Sequence, residues 1–182
     1  MSRVLVPLAQ GCEELEAITI TDLLVRAGVD VTTAGLDEQP VVCSRGAKLI
    51  PDTNIQDVKD KQFDMVVLPG GLPGADHLRD NSTVQNIIKK HAEADCYVAA
   101  ICAAPKALAQ AGVLQNKKAT GYPGVLNDLG LEATEIKNTA IEVDGKVITS
   151  RGPGTAMDFS LQLIEILQGA EKRKEVEKAL VR

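Results

Sequence analysis

Three short apolar runs constrain this chain more than any other feature: Val4-Leu5-Val6, Met65-Val66-Val67-Leu68 and Cys96-Tyr97-Val98-Ala99-Ala100-Ile101. Each is too short for a helix, and each gives way within a few residues to glycine, alanine or proline. Runs of this kind read as strands buried on both faces. Between them the apolar period lengthens. Glu13 to Ala27 carries Leu15, Ile18, Leu23 and Leu24 among acids and stops at Gly28, as a helix does. Ser82-Thr83-Val84-Gln85 reads as a capping box opening a helix with Val84, Ile87 and Ile88 along one face. Ala104 to Ala109 reads as a helix with proline in its first turn and Gly112 near its end.

The remaining segments continue the alternation. Val29 to Thr33 is a strand, and Val41–Cys43 and Lys48–Ile50 flank Ser44-Arg45-Gly46 as a small hairpin. Ala140–Val143 and Lys146–Thr149 form a second hairpin across Asp144-Gly145. Gly152-Pro153-Gly154 leads into an apolar helix, Thr155 to Leu167, and a charged helix, Glu171 to Leu180, follows. Strands alternating with helices build a mostly parallel sheet covered on both faces. The expected fold is therefore α/β, a doubly wound sandwich with an antiparallel hairpin. At 182 residues, and with no linker or repeat, one domain spanning 1–182 is expected.

Composition narrows the function. Only four residues are aromatic (Phe63, Tyr97, Tyr122 and Phe159), so the core must be aliphatic and base-stacking platforms are not expected. The formal net charge is −5 and there is no basic run, which argues against nucleic acid or an anionic membrane as partner. No signal peptide or membrane-spanning run is apparent, so a cytoplasmic location is expected. The cysteines at 12, 43, 96 and 102 fit neither a redox C-x-x-C nor a zinc pattern. They read as free thiols packing as small hydrophobes, with no metal and no cofactor implied.

In a doubly wound sheet the ligand crevice lies beyond the carboxyl ends of the strands. Three loops compete for it, those after Val6, Leu68 and Ile101. Cys102 is the strongest candidate. It stands at a strand–helix junction in Ala100-Ile101-Cys102-Ala103-Ala104, the spacing of a nucleophile elbow with alanines for glycines. A helix beginning near Pro105 would aim its positive end at the sulfur and lower its pKa. The alternative is a buried structural cysteine. Glu16 opens the first helix beside the crevice and follows Leu15, so it is expected to face inward with a raised pKa and to act as proton donor or acid–base partner. Glu13 and Glu14 are expected to serve only the helix dipole and solvent. Gly70-Gly71 would bring backbone N–H groups close to a reacting oxygen, unless it is a plain tight turn. His91 reads as a solvated residue at a helix C-terminus, and His77 as a residue near the crevice without a clear role.

These motifs together resemble a known family. Glu13-Glu14-Leu15-Glu16, Leu68-Pro69-Gly70-Gly71, Ala99 to Pro105 and Thr149-Ser150-Arg151-Gly152-Pro153-Gly154-Thr155 are similar to those of the ThiJ/PfpI superfamily, in its order and at similar spacing. Within it the chain resembles the branch of the Parkinsonism-associated deglycase and its bacterial YajL-like relatives, from Val4 to about Val181. The resemblance implies a flavodoxin-like fold, a homodimer and an oxidation-sensitive cysteine. It implies that Cys102 is the nucleophile and Glu16 its protonated partner, with Gly70, Gly71 and Ala103 supplying backbone N–H groups. Arg26 and Arg45 match basic positions near the dimer interface, and Ser150, Arg151 and Pro153 match residues beside the site. Tyr122 stands where many members carry histidine, which disfavours peptidase or amidotransferase chemistry needing a Cys–His pair.

The activities implied are cofactor-free conversion of small dicarbonyls to hydroxy acids and release of early glycation adducts from protein. The substrate would be a small aldehyde or a glycated protein. The other function implied is an oxidation-sensing, chaperone-like stress protein in which Cys102 becomes a sulfinate with little turnover.

Overall fold

The computed structural model describes residues 1–182. The chain runs β1 (Arg3–Leu8), α1 (Glu14–Arg26), β2 (Asp30–Gly35), β3 (Val41–Val42), β4 (Lys48–Leu49), β5 (Thr53–Asn54), β6 (Met65–Leu68), α2 (Gly74–Asp80), α3 (Ser82–Glu93), β7 (Tyr97–Ile101) and α4 (Pro105–Gln110). It continues with β8 (Lys118–Ala119), β9 (Glu135–Ile136), β10 (Ile141–Asp144), β11 (Val147–Ser150), α5 (Ala156–Gln168) and α6 (Ala170–Ala179).

The main sheet has the order β10-β11-β7-β6-β1-β2-β5, parallel throughout except for the antiparallel β10–β11 hairpin. The expected sandwich is what forms. All four residues of β6 and the last four of β7 are buried, because helices cover both faces and leave no solvated side. α1, α5 and α6 pack together as one group, and α2, α3 and α4 as the other. Phe159 is the one aromatic among the large, fully buried side chains, and the rest of that set is aliphatic or Met65. Burying each Leu or Ile stabilises by about 1.5–3 kcal/mol, so many aliphatic contacts replace a few aromatic ones. No helix is long and apolar enough to cross a membrane.

Read from β2, the parallel strands follow the order 2-1-3-4-5, so chain progression reverses between β1 and β6. The loops after these two strands meet over the carboxyl ends of the sheet, with Gly71 packed directly against Gly11, Cys12 and Glu13. The loop after β7 joins them, with Cys102 against Gly70.

Several local expectations are corrected. The α1 face turned to the core is Glu16, Ala17, Ile20, Leu23 and Leu24, whereas Leu15 and Ile18 are about half exposed. α3 is capped by Asn81, whose side chain accepts from the Val84 N–H at 3.0 Å. Gln85 closes no capping box, because its amide donates instead to the Ala107 carbonyl and ties α3 to α4. The turn of the β10–β11 hairpin is displaced by one residue, with Asp144 still paired to Val147. His91 is buried rather than solvated. Its Nδ1–H donates to the Ile87 carbonyl at 2.7 Å and its Nε2 accepts from the Phe63 N–H at 3.1 Å, so it bridges α3 to the chain entering β6.

Candidate active site

Cys102 follows β7 directly and adopts φ +63°, a left-handed conformation that costs a non-glycine residue about 1–2 kcal/mol. Backbone bonds on both sides hold it there. Its N–H donates to the Ser150 carbonyl at 2.9 Å, and its carbonyl accepts from the Tyr122 N–H at 2.7 Å. Such over-determined strain lifts a side chain off the strand and presents it at the carboxyl end of the sheet.

Glu16 is fully buried, in the first turn of α1. Its Oε2 accepts from the Gly70 N–H at 2.7 Å, while Oε1 is buried without a partner. A Cβ on Gly70 would stand 2.7 Å from Cys102 Cβ and 2.8 Å from Glu16 Oε2, so glycine is what lets the three loops converge. The expectation that Gly70 offers its N–H to the crevice is thereby corrected. That N–H is committed to Glu16, and its carbonyl accepts from the Glu13 N–H at 2.9 Å. The backbone N–H groups that favour a thiolate at Cys102 are those of Gly71 and Ala103.

Electrostatically the two acids form one unit. Burial, against the hydrogen bonds from Gly70 and Cys102, raises the Glu16 carboxyl to about 7. Burial first, then the negative charge of Glu16, pushes the Cys102 thiol up to about 12, with Gly71 and Ala103 pulling the other way. The lowered thiol pKa expected from the following helix is not what the site imposes. α4 has only six residues, and desolvation outweighs its dipole. The two groups are coupled, so the pair releases its first proton near 7 and its second near 12.

Other residues singled out in the sequence fall into two groups. Ser150 and Tyr122 hold the elbow through their backbones, and the Ser150 hydroxyl donates to the Ala140 carbonyl. Arg151 donates to the Asn138 carbonyl at 2.7 Å, and Pro153 opens the short turn before α5. The Tyr122 ring is 52% exposed and lies against Gly152. Arg26 is not brought to the site. It pairs with Asp22 at the far end of α1, on the order of 18 Å from Glu14 at 1.5 Å per residue. Arg45 lies exposed at the tip of the β3–β4 hairpin. His77 donates its Nδ1–H to the Gln10 carbonyl at 3.0 Å and borders a hollow lined by Leu8, Leu36 and Val41, apart from Cys102.

One network was missed from sequence. Glu13 and Glu14 are not solvated ornaments of the helix dipole. Ser44 Oγ donates to Glu13 at 2.9 Å, and the Arg45 and Ala47 N–H groups donate to Glu14 at 3.0 and 3.2 Å. Desolvation works against its charge, yet these N–H groups and its own hold the Glu14 carboxyl below the usual range. The β3–β4 hairpin is thus fastened to the start of α1, the helix that carries Glu16. Two acids upstream of a short Ser-Arg-Gly turn were the available signal, but their pairing is non-local.

The model of the DJ-1/PfpI family matches residues 2–166. Arabidopsis thaliana DJ-1 homologs A and B are each 43% identical over 98% of this chain, which spans only 46% and 41% of their own lengths. The Caenorhabditis elegans glutathione-independent glyoxalase DJR-1.2 is 34% identical over 94% of this chain and 91% of its own. The crystal structure of Drosophila melanogaster DJ-1beta superposes with a TM-score of 0.95 at 43% identity, covering 100% of this chain and 98% of that one.

Proposed function

Because the chain belongs to the DJ-1/PfpI family, we propose that it is a cysteine-dependent, cofactor-independent enzyme acting on reactive dicarbonyls or their early protein adducts. The observation that carries this reading is the convergence on Gly70 of the strained Cys102 elbow and the buried Glu16 carboxyl, one oxygen of which is held by the Gly70 N–H at 2.7 Å while the other has no partner. The relative named as a glyoxalase supports it.

For methylglyoxal the chemistry balances without a metal or redox partner. When Glu16 holds the shared proton, its charge no longer opposes the thiolate, and the sulfur adds to the aldehyde carbon. The carbonyl oxygen becomes an alkoxide, turns toward the Gly71 and Ala103 N–H groups and takes the Glu16 proton, giving a hemithioacetal. The Glu16 carboxylate then removes the hydrogen on that carbon, and the resulting enediol is reprotonated at the neighbouring carbon. The thioester so formed is hydrolysed by one water, releasing lactate and the thiol. A glycation adduct enters at the same step once its hemiaminal or hemithioacetal breaks down, the protein amine or thiol leaving with the hydroxyl proton and freeing the aldehyde.

A second reading rests on the same donors. Two N–H groups and a protonated carboxyl would also stabilise a sulfinate on Cys102, as an oxidation sensor with little turnover requires. The exposed apolar residues Leu15, Ile18 and Val25 on α1 support a homodimer built on that helix. Aldehyde consumption by purified protein, compared with Cys102→Ser, tests the enzyme. Loss in the variant is expected, and retained activity would overturn the covalent route.

A further inference from the structure

A second sulfur centre lies behind the glycine loop. Cys12, in the loop after β1, and Cys43, at the end of β3, place their Sγ atoms 3.6 Å apart. Both are free thiols, and nothing in the chemistry above uses them. Their backbones are tied like neighbouring strands. The Gly11 N–H donates to the Val42 carbonyl, and the Ser44 N–H to the Cys12 carbonyl, each at 2.8 Å. The hairpin is clamped again by Glu13 and Glu14, so the two sulfurs are held in register from both sides. A disulfide needs them at ~2.05 Å, a closure of about 1.5 Å that rotation of two small side chains can supply.

We propose that Cys12 and Cys43 form a redox site separate from Cys102, a dithiol that closes reversibly to a disulfide under hydrogen peroxide. Cys43 is 5% exposed and Cys12 not at all, so the peroxide meets Cys43 first. The Cys43 sulfur takes one oxygen to become a sulfenic acid, and water leaves. The Cys12 sulfur then displaces the hydroxyl, the S–S bond forms, and the Cys12 proton departs with the hydroxyl as a second water. The two thiols lose two electrons and the peroxide gains two. Burial and the acids Glu13 and Glu14 keep both thiols protonated, so this oxidation is slower than attack on an activated thiolate.

The position gives the switch a route to the active site. A Cβ on Gly71 would stand 2.6 Å from the Cys12 carbonyl carbon, and one on Gly74 would stand 2.6 Å from the Cys12 nitrogen. The Gly71 N–H also favours the Cys102 thiolate. Movement at Cys12 therefore presses on the loop that cradles the nucleophile.

The test uses the full chain with Cys102→Ser and Cys96→Ser, so that its outcome is independent of the function proposed for Cys102. Tryptic cleavage after Arg3, Arg26 and Arg45 puts Cys12 in peptide 4–26 and Cys43 in peptide 27–45. After peroxide treatment, intact mass should fall by two hydrogens. The two peptides should be linked before reduction and separate after it. Adding Cys12→Ala should leave a sulfenic acid on Cys43 that dimedone traps. The proposal fails if both thiols remain free to alkylation after unfolding, or if oxygen is added without a link. It also fails if the linked peptides join isotopically labelled to unlabelled chains in a mixture.

Discussion

Cys102 and the Cys12–Cys43 pair are three thiols in one small region, all raised by burial, yet the structure prepares them for different chemistry. Cys102 sits on strained backbone, with the Gly71 and Ala103 N–H groups favouring its thiolate and a buried carboxyl that can take its proton. Cys12 and Cys43 have ordinary backbone and no such donors; each has the other's sulfur and nearby acids. The difference teaches that burial alone does not decide reactivity. What counts is whether the proton has a neighbouring place to go and whether the resulting anion finds donors.

Removing the nucleophile should have the largest effect. Cys102→Ser is expected to reduce aldehyde consumption on the order of a thousandfold or more, measured as loss of methylglyoxal. Glu16→Gln comes next. The amide still accepts the Gly70 N–H and can donate to sulfur, but it cannot move a proton, so turnover should fall roughly a hundred- to ten-thousandfold while Cys102 stays open to alkylation. Wild-type turnover in that variant would remove the acid–base role.

Gly70→Ala probes the geometry that separates the two regions. Its Cβ would overlap Cys102, Glu16 and the Ile101 carbonyl, all within 2.9 Å. Unfolding in urea should show a loss of roughly 2–3 kcal/mol, and equal stability would mean that the loops are less tightly convergent than described.

The buried carboxyl also predicts a pH dependence of stability. Glu16 rises from 4.5 to about 7 on folding, so the folded state favours its protonated form. That contribution is complete below about pH 4.5 and is lost as the pH climbs through 7. Relative to wild type, Glu16→Gln should therefore gain roughly 2–3 kcal/mol at pH 8 compared with pH 5. Urea midpoints at the two pH values measure it, and a constant difference would contradict the assignment. The smallest effect is expected at Cys43→Ala, a loss of roughly 1 kcal/mol with the alkylation rate of reduced Cys102 unchanged. A large change in that rate would mean that the two sulfur centres are coupled even before oxidation.

The strands were legible because burial on both faces leaves an unbroken apolar run, as in β6. The helix face was harder. Glu16 was expected to face inward because it adjoins Leu15 and Ile18, but those two face solvent. The correct stripe is Glu16, Ala17, Ile20, Leu23 and Leu24, a helical period with a carboxylate inside it, and that was the stronger signal. His91 was misread because its two partners, Ile87 and Phe63, include one 28 residues away. The Cys12–Cys43 approach was illegible for the same reason. Spacing along the chain carries no information about a hairpin that folds back onto an earlier loop.

The most telling measurement is the rate of Cys102 alkylation against pH, followed by intact mass and peptide mapping with and without methylglyoxal. With the proton shared, the rate should rise with the first deprotonation near 7 and then level off. Cys102 should react well ahead of Cys12 and Cys43, and methylglyoxal should protect it. A Cys102 that reacts no faster than the other two, climbs steadily into the alkaline range and gains no protection would show that the buried carboxyl does not activate it.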